Sequence, residues 1–570
     1  MSFFLTYTAI LFIIIFPVFS ADTIVIPYSI NQFDICKEAP KAWTYIKIAY
    51  VFLHFFSAII IANSIYNLFV KNHTVKKANK APIENDSSPD GISLYLGNSS
   101  ITGEKFYIPE KGLYQNILIT GTIGSGKTSG AMYPFTKQLI QYRSFNNNKL
   151  GMLILDVKGN FYKQVKLYAK QFSRLDDLII IELGKTVRYN PLDKPNLKPI
   201  VLAHRLKTIL ELFSGSNTES YWLDKAEQVL TESIKLCRLY NHGYVTFTEL
   251  HKLINTEGYY KEKLTYLRDL FQSGGLSDEE IYNLSSSITF FEDEFMALDS
   301  RTLSILKSEI TRITGTFVSD LNILNTFCPN KEDITFFGFE EVIHSGKIIV
   351  LNMNIAEYKN LSKIIAAYLK LDFQSEVLLQ LSNDASPPNP TVFICDEFHE
   401  YVTSTDGDFF AQSREAKCIN IVATQSYTSL LKTLGNESSV RVIVQNLINK
   451  LWFRTDDSFS IEDIQKQIGK EEKSRSTKSV SENANETHYS YFTNSLKSKK
   501  SNVSESISSS VYSDFVYDTN FFTQDLEVFT CLSFISDGDK IMKPAKLNMI
   551  PYFLECNDIA PKDKNNYKII

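Results

Sequence analysis

Residues Gly121–Gly130 read GTIGSGKTSG and directly follow the apolar run Tyr114–Thr120. They contain the spacing Gly-x-x-x-x-Gly-Lys-Thr, in which glycines let consecutive backbone N–H groups turn inward around phosphate oxygens. The lysine then meets the β and γ phosphates, and the threonine can ligate Mg²⁺. Because the loop lies between a strand-like and a helical run, the sequence predicts a nucleotide-binding loop rather than a glycine-rich turn. Its residues are Gly121, Thr122, Ile123, Gly124, Ser125, Gly126, Lys127 and Thr128.

An acidic pair follows another apolar run. The motif TVFICDEFHEY begins at Thr391, and its first five residues are typical of a buried strand. Asp396 would lie at the C-terminal tip of that strand beside Mg²⁺, and Glu397 is the candidate general base. The next polar pair, His399 and Glu400, lacks a second histidine at the zinc-protease spacing. We therefore expect these two side chains at the surface and not in a metal site.

Four further apolar runs resemble buried strands: GMLIL before Asp156, LIIIEL at 178–183, KIIVLN at 347–352 and INIVAT at 419–424. Their alternation with helical stretches predicts an α/β fold with a parallel-rich central sheet and helices on both faces. Ligands of such sheets gather at the C-terminal ends of the strands. Gln425 follows the last run, so it is a candidate to read the γ-phosphate or orient the attacking water. An ordinary turn residue is the alternative.

The first 21 residues, MSFFLTYTAILFIIIFPVFSA, contain no charge and are about as long as the hydrocarbon core of a bilayer requires. They predict a transmembrane helix at 3–20. A cleaved signal peptide is the alternative, because the residues around Ser20 resemble a cleavage site. The basic amino-terminal region of a signal peptide is missing, however.

A second apolar segment, at 46–70, has Lys47 near one end as its only charge. Its length without a polar face predicts a second transmembrane helix rather than a buried core helix. Basic residues follow directly: Lys71, His73, Lys76, Lys77 and Lys80. The positive-inside rule therefore places the rest of the chain in the cytoplasm and the short loop between the two helices outside.

The composition limits the class of protein. A chain of 570 residues should divide into more than one globular unit. Its net charge of −5 argues against a uniformly basic surface but is compatible with a local basic channel. The seven cysteines are scattered without a Cys-x-x-Cys pair, so we expect reduced thiols and no structural zinc site.

Changes of pattern along the chain predict its organisation. Strand-like apolar runs stop after residue 195, and from there apolar residues recur at the spacing of a helix. The serine-rich stretch 470–510 predicts a flexible polar insertion, either a mobile loop or an extended hairpin. Its lysines could contact nucleic acid, with a solvated insertion as the alternative. The predicted segments are a membrane anchor at 1–70, a linker and start of the motor at 71–110, an all-α domain at 196–335, and a nucleotide-binding domain built from the two stretches 111–195 and 336–570.

Several motifs in order resemble the type IV coupling proteins, the VirD4/TraG/TraD-like ATPases of conjugation and type IV secretion. These motifs are ITGTIGSGKT, LILDVKGNFY, YNPLD, YWLDKAEQVL, FICDEFHEY, SREAKCINIVATQS and FISDGDKIMKP. The resemblance implies a RecA-like P-loop ATPase that forms a homo-hexamer at the bacterial inner membrane and uses ATP and Mg²⁺. Its substrate would be single-stranded DNA with its relaxase, or effector proteins, passed into a type IV secretion channel.

The resemblance also implies roles for single residues. Lys127 and Thr128 match the phosphate and Mg²⁺ contacts, Asp396 and Glu397 the acidic pair, and Gln425 the sensor glutamine. Arg414, in QSREAK, matches an arginine finger on the nucleotide of the neighbouring subunit, whereas periodicity alone would make it a solvated helix residue. Three alternatives remain: a receptor for effector proteins only, an FtsK/HerA-like translocase of double-stranded DNA, and a membrane receptor or scaffold that does not hydrolyse nucleotide.

Overall fold

A computed structural model of the chain describes residues 91–143, 149–213, 220–295, 297–353, 355–382, 387–482, 488–490, 495–497 and 503–555, with four isolated positions before residue 90. Apart from Ile48, the two predicted membrane segments lie outside the described residues. Among the residues that are described, none belongs to a helix long and apolar enough to cross a bilayer. The chain divides into two units at Asp90, and the second unit, Gly91–Ile570, contains all the elements that follow.

An eleven-stranded mixed sheet forms the centre of this unit. Its strands are β1 (Ser93–Ser99), β2 (Lys105–Pro109), β3 (Ile117–Thr120), β4 (Gly151–Leu155), β5 (Leu178–Ile181), β6 (Ile348–Leu351), β7 (Thr391–Cys395), β8 (Cys418–Thr424), β9 (Asn449–Phe453), β14 (Thr530–Phe534) and β15 (Ala545–Asn548). Their order across the sheet is β2-β1-β15-β14-β9-β3-β8-β7-β4-β6-β5. The four strands β10 to β13, whose bounds are given below, lie outside this sheet.

The part of the sheet from β9 to β5 is parallel throughout, as the apolar runs predict. Helices cover both of its faces, so β3, β4, β6, β7 and β8 are buried along their whole length. Alternate residues of β3 belong to different cores: Leu118 to one, Ile117 and Ile119 to the other. Parallel pairing brings the carboxyl ends of all these strands to one edge of the sheet.

The other end of the sheet is antiparallel. β14 pairs with β9, β15 with β14, β1 with β15 and β2 with β1, each in the antiparallel sense. Segments from the beginning and the end of the described unit therefore lie side by side. The alternation of strand-like and helical runs in the sequence predicts the parallel strands. It contains no signal for the antiparallel strands β14, β15, β1 and β2.

Helices fill the connections. They are α1 (Glu110–Leu113), α2 (Tyr133–Gln141), α3 (Phe161–Gln171), α4 (Pro199–Phe213), α5 (Ser220–Tyr240), α6 (Phe247–Asn255), α7 (Tyr259–Gln272), α8 (Asp278–Ile288), α9 (Ser300–Val318), α10 (Leu321–Phe327), α11 (Phe339–Ser345), α12 (Ile355–Tyr358), α13 (Asn360–Leu379), α14 (Asp406–Gln412), α15 (Tyr427–Leu434), α16 (Glu437–Asn446), α17 (Ser458–Ile468) and α18 (Tyr552–Glu555). The helices α4 to α10 follow one another without an intervening strand of the sheet.

The helices α4 to α10 are an insertion in the sequence but share a core with one face of the sheet. A single cluster of buried residues contains Leu230 and Phe317 from the insertion together with Leu118 and Phe393 from the sheet. Phe247 and Phe317 stack with ring centroids 3.9 Å apart. The insertion is therefore packed on the motor and does not have a separate hydrophobic core.

The serine-rich stretch forms an extended hairpin. Strand β10 (Lys470–Glu482) pairs along its whole length with β13 (Val503–Phe515), in antiparallel register. Two short strands, β11 (His488–Ser490) and β12 (Ser495–Lys497), pair in the segment between them. We call the β10–β13 pair the ribbon. Of the two structures that the sequence left open, the described residues show the hairpin.

Candidate active site

The phosphate-binding loop leaves β3 at the carboxyl edge of the sheet and leads into the helical turn Lys127–Met132. Gly121, Gly124 and Gly126 have φ angles of 155°, 78° and 100°, which side chains rarely adopt. A Cβ atom on Gly126 would also lie 2.5 Å from the ring of Phe529. The glycine spacing is therefore required by both the backbone conformation and the space around the loop.

Lys127 lies inside the loop, and its side chain is 6% exposed. Its Nζ donates to the carbonyl oxygens of Gly121, at 2.5 Å, and Thr122, at 3.2 Å. Burial lowers the pKa of Lys127, while the carboxylates of Glu397 and Asp396 act in the opposite direction. An ammonium group held only by loop carbonyls can exchange these partners for phosphate oxygens, which form stronger, charge-assisted hydrogen bonds.

The two predicted Mg²⁺ contacts are neighbours. Thr128 Oγ1 donates to Asp396 Oδ2 at 2.9 Å, although the residues are far apart in sequence. Burial, followed by the charges of Glu397 and Asp156, raises the pKa of Asp396 to about 6. A divalent cation would favour the ionised form of this carboxyl group. A hydroxyl and a buried carboxylate are hard oxygen ligands, so the residues present fit Mg²⁺.

Glu397 has the properties of a base held in a strained position. It has a left-handed conformation, with φ of 52°, and its residue is 7% exposed. Within the described residues its Oε2 atom has no hydrogen-bond donor. A buried carboxylate oxygen without a hydrogen-bond donor costs folding free energy. A strained backbone conformation does so too, and such conformations cluster at functional sites. A water molecule that donates to Oε2 would remove this cost and would be positioned for deprotonation.

Two side chains that the sequence analysis did not assign lie beside Glu397. Lys158 Nζ is 3.7 Å from Oε1, and His399 Nδ1 is 3.7 Å from Oε2. The same His399 nitrogen lies 3.1 Å from Thr424 Oγ1. The expectation that His399 lies at the surface is wrong: its side chain is 14% exposed, because it packs between the ends of β7 and β8.

Asp156, just after β4, orders the loop that contains Lys158. Its carboxylate accepts hydrogen bonds from the backbone N–H groups of Lys158 and Asn160, each at 3.0 Å, and of Phe161, at 3.1 Å. Asp156 also contributes to the raised pKa of Asp396, so it lies near the acidic pair. A carboxylate directly after an apolar strand is the sequence signal that could have identified it.

Gln425 lies next to the phosphate-binding loop. Its backbone carbonyl accepts a hydrogen bond from Gly121 N–H at 3.2 Å, and the preceding residue, Thr424, pairs with Thr120 of β3. The structure therefore places Gln425 at the same sheet edge as Lys127. A contact between its side chain and the γ-phosphate remains a prediction.

Arg414 lies elsewhere. It is exposed, in the turn before β8, and therefore at the amino-terminal edge of the parallel strands. The fold brings Lys127, Thr128, Asp396 and Gln425 to the opposite edge. Arg414 therefore cannot act on nucleotide bound to its own chain. Its role on a neighbouring subunit remains a prediction.

One family model matches part of the chain. Residues 390–510 match the family model described as the TraM recognition site of TraD and TraG. This range includes β7, the acidic pair, Arg414 and Gln425. This match links that part of the chain to the TraD and TraG coupling proteins. Among curated proteins, no match to the sequence was found.

Solved structures of conjugative coupling proteins have a similar fold. Bacterial conjugative coupling protein TrwBdeltaN70, in its unbound monoclinic form, matches with a TM-score of 0.53 and 13% identity, over 80% of this chain and 88% of that chain. Plasmid coupling protein TrwB in complex with the GTP analogue GDPNP matches with a TM-score of 0.53 and 12% identity, over 80% and 89%. TrwB in complex with ADP and Mg²⁺ matches with a TM-score of 0.52 and 13% identity, over 80% and 89%.

Proposed function

We propose that the chain is a membrane-anchored ATPase that couples nucleotide hydrolysis to substrate transfer in conjugation or type IV secretion. It forms a homo-hexamer at the bacterial inner membrane, with its two amino-terminal helices in the bilayer. Its substrate is single-stranded DNA with its relaxase, or effector proteins. The family model, the fold shared with coupling proteins, and the nucleotide found in TrwB complexes support this proposal.

The observation that carries the proposal is the convergence of a phosphate-binding loop, a Mg²⁺ contact pair and a strained glutamate at one sheet edge. Lys127 compensates phosphate charge, and Glu397 accepts a proton from the attacking water. The water oxygen forms a bond to the γ-phosphorus as the bond from phosphorus to the β–γ bridging oxygen breaks, and the electron pair leaves with ADP. Lys158 lies beside Oε1 of Glu397, and His399 lies beside Oε2 without donating a hydrogen bond to it, so Oε2 is available to the water.

Mg²⁺ would be held by Thr128 and Asp396. When bound, the ion neutralises charge on the β and γ phosphates. The chain supplies the rest of the site: Lys127 and the loop N–H groups hold the phosphates, and Gln425 orients the water.

The family model also suggests a partner. Because its description names a TraM recognition site, we infer that the surface formed by residues 390–510 contacts an accessory protein of the TraM kind. Most of the ribbon lies within this range, which ends at residue 510 of β13.

The function can be tested by measuring ATP hydrolysis by the full-length protein in detergent, with and without nucleic acid. We expect hydrolysis that increases with single-stranded DNA and is abolished in Lys127→Ala. Stimulation by effector protein alone would support the receptor for effectors, and stimulation only by double-stranded DNA would support a translocase. Nucleotide binding without turnover in the parent protein would contradict the ATPase and support a scaffold.

A further inference from the structure

A cleft of about 330 Å³ lies at the amino-terminal edge of the parallel strands, across the sheet from the phosphate-binding loop. Its lining includes Arg414, before β8, and Lys540, in the connection between β14 and β15. Neither cationic side chain forms an ion pair with a residue that the structure describes. Asp539 also lines the cleft, so the lining itself carries one positive charge in excess. Asp537, outside the lining, accepts a hydrogen bond from Lys540 N–H at 2.9 Å.

A buried polar cluster holds the turn that contains Arg414. Asn116 Nδ2, just before β3, donates to the carbonyl of Phe410 at 3.0 Å. Its Oδ1 accepts hydrogen bonds from Ser413 Oγ, at 3.1 Å, and Asn420 Nδ2, at 2.7 Å. Ser413 and Asn420 are completely buried. The residue next to Arg414 is therefore fixed to both β3 and β8.

The same cluster holds the turn that contains Lys540. Asn449 donates to the carbonyl of the residue just before β3, at 3.0 Å, and accepts from Ser536 N–H at 2.8 Å. Gln115 Nε2 donates to the carbonyl of Gly538 at 3.0 Å. Buried hydrogen-bond networks rigidify the segments they join, although Gln115 Oε1 has no partner among the described residues. The turns that contain Arg414 and Lys540 are thus joined to the same buried hydrogen-bond network.

Two cations held by one hydrogen-bond network, neither of them in an ion pair with a described carboxylate, can bind an anion together. A nucleotide held by the phosphate-binding loop of the same chain would lie at the opposite sheet edge, so an anion in this cleft would belong to another molecule. In a ring, each interface joins two different faces of identical subunits, which allows one edge of the sheet to meet the opposite edge of the next copy.

We propose that this cleft is the second half of a composite nucleotide site, in which Lys540 acts together with Arg414 on the triphosphate bound to a neighbouring copy. The proposal rests on the proposed ATPase function and on the ring. Arg414 has a planar fork that can bind two γ-phosphate oxygens, whereas Lys540 supplies a compact charge. As the bond to the β–γ bridging oxygen breaks, Lys540 compensates the negative charge that develops on the departing ADP.

The first test measures assembly and does not depend on hydrolysis. Sedimentation of the full-length protein in detergent, with a non-hydrolysable ATP analogue, reports the concentration at which subunits associate. We expect Lys540→Ala to require about tenfold more protein, because one charge-assisted contact across the interface is lost. Lys543→Ala, an exposed lysine of the same segment outside the cleft lining, is the control and should associate like the parent. Equal association of Lys540→Ala and the parent would overturn the proposal.

The second test asks whether Lys540 acts on another subunit. Lys540→Ala subunits should turn over slowly alone and regain activity when mixed with Lys127→Ala subunits, which have an intact cleft but an inactive loop. Lys540→Arg should retain most of the activity. If mixed rings form and only Arg414→Ala subunits are rescued, Lys540 has no such role, while the ATPase stands. If the parent protein does not hydrolyse ATP, the proposed function fails, and the assembly test still decides the contact made by Lys540.

Discussion

Lys127 and Glu397 belong to one site but have different roles: Lys127 binds the nucleotide, and Glu397 acts in hydrolysis. Lys127→Ala should weaken ATP binding at least tenfold, because a charge-assisted contact worth about 1.5–3 kcal/mol is lost. Glu397→Gln should leave binding unchanged and lower turnover by about 10²- to 10⁴-fold, the usual contribution of a general base. Fluorescent-nucleotide titration measures the first effect and steady-state ATPase assays the second.

Lys158→Ala is a useful comparison for these two variants. Lys158 lies beside Glu397 but its side chain is 55% exposed, so its removal should not destabilise the protein. Near-parent hydrolysis by Glu397→Gln would show that another group is the base.

A charge buried between two strands makes the stability of the sheet depend on pH. Lys450 of β9 is 2% exposed and pairs across the strands with Phe534 of β14. Burial lowers the pKa of Lys450 to about 8, against the opposing charge of Asp463. The unfolded chain therefore binds this proton more tightly than the folded protein. Below pH 8 the charged lysine costs stability on the order of 3 kcal/mol, and the cost disappears as pH rises from about 8 to about 10.5.

We therefore expect Lys450→Met to raise the free energy of unfolding at pH 7, and the difference from the parent to shrink towards pH 10. Urea denaturation at several pH values measures this difference, and other groups that titrate in this range cancel in the comparison. A constant difference from pH 7 to pH 10 would show that the pKa of Lys450 is the same in the folded and the unfolded protein.

The ribbon should be dispensable for folding. Ile507 and Val511, on one face of β13, are 71% and 66% exposed, so the ribbon buries little of its own surface. Replacing residues 474–511 with a two-residue turn should change the free energy of unfolding by less than about 1 kcal/mol and leave basal ATPase activity intact. A large loss of stability in thermal denaturation would show that the ribbon packs on the motor.

In the assembled ring, Arg414 is predicted to act on the neighbour. Arg414→Ala should bind ATP normally but turn over about 10³- to 10⁵-fold more slowly, as other arginine fingers do. Mixing with Lys127→Ala subunits should restore some of the activity, because an intact loop on one subunit can use the arginine of the next. Arg414→Lys should behave like alanine, since lysine lacks the planar fork.

Mixed rings must be shown to form, for example by co-purification of differently tagged subunits. If they form and remain inactive, Arg414 does not act in trans. Arg441 and Arg454 would then be the next arginines to test, although Arg441 already pairs with Glu437 and Asp463.

The local sequence determined the phosphate-binding loop, the strand before it and the acidic pair after β7. These features depend on short-range properties: glycines with unusual φ angles, apolar runs and carboxylates at strand ends. Such properties are encoded within about ten neighbouring residues, so the sequence alone predicted the site and the parallel strands.

Only the tertiary structure decided which distant segments meet. The order of strands places Asn116 beside Asn420, and His399 beside Thr424. It also separates Arg414 from the phosphate-binding loop and joins it to Lys540 in one cleft. The packing of α4 to α10 on the sheet depends in the same way on contacts between residues more than a hundred positions apart. Such contacts have no periodicity in the sequence, because they are selected by the complementarity of whole surfaces during folding.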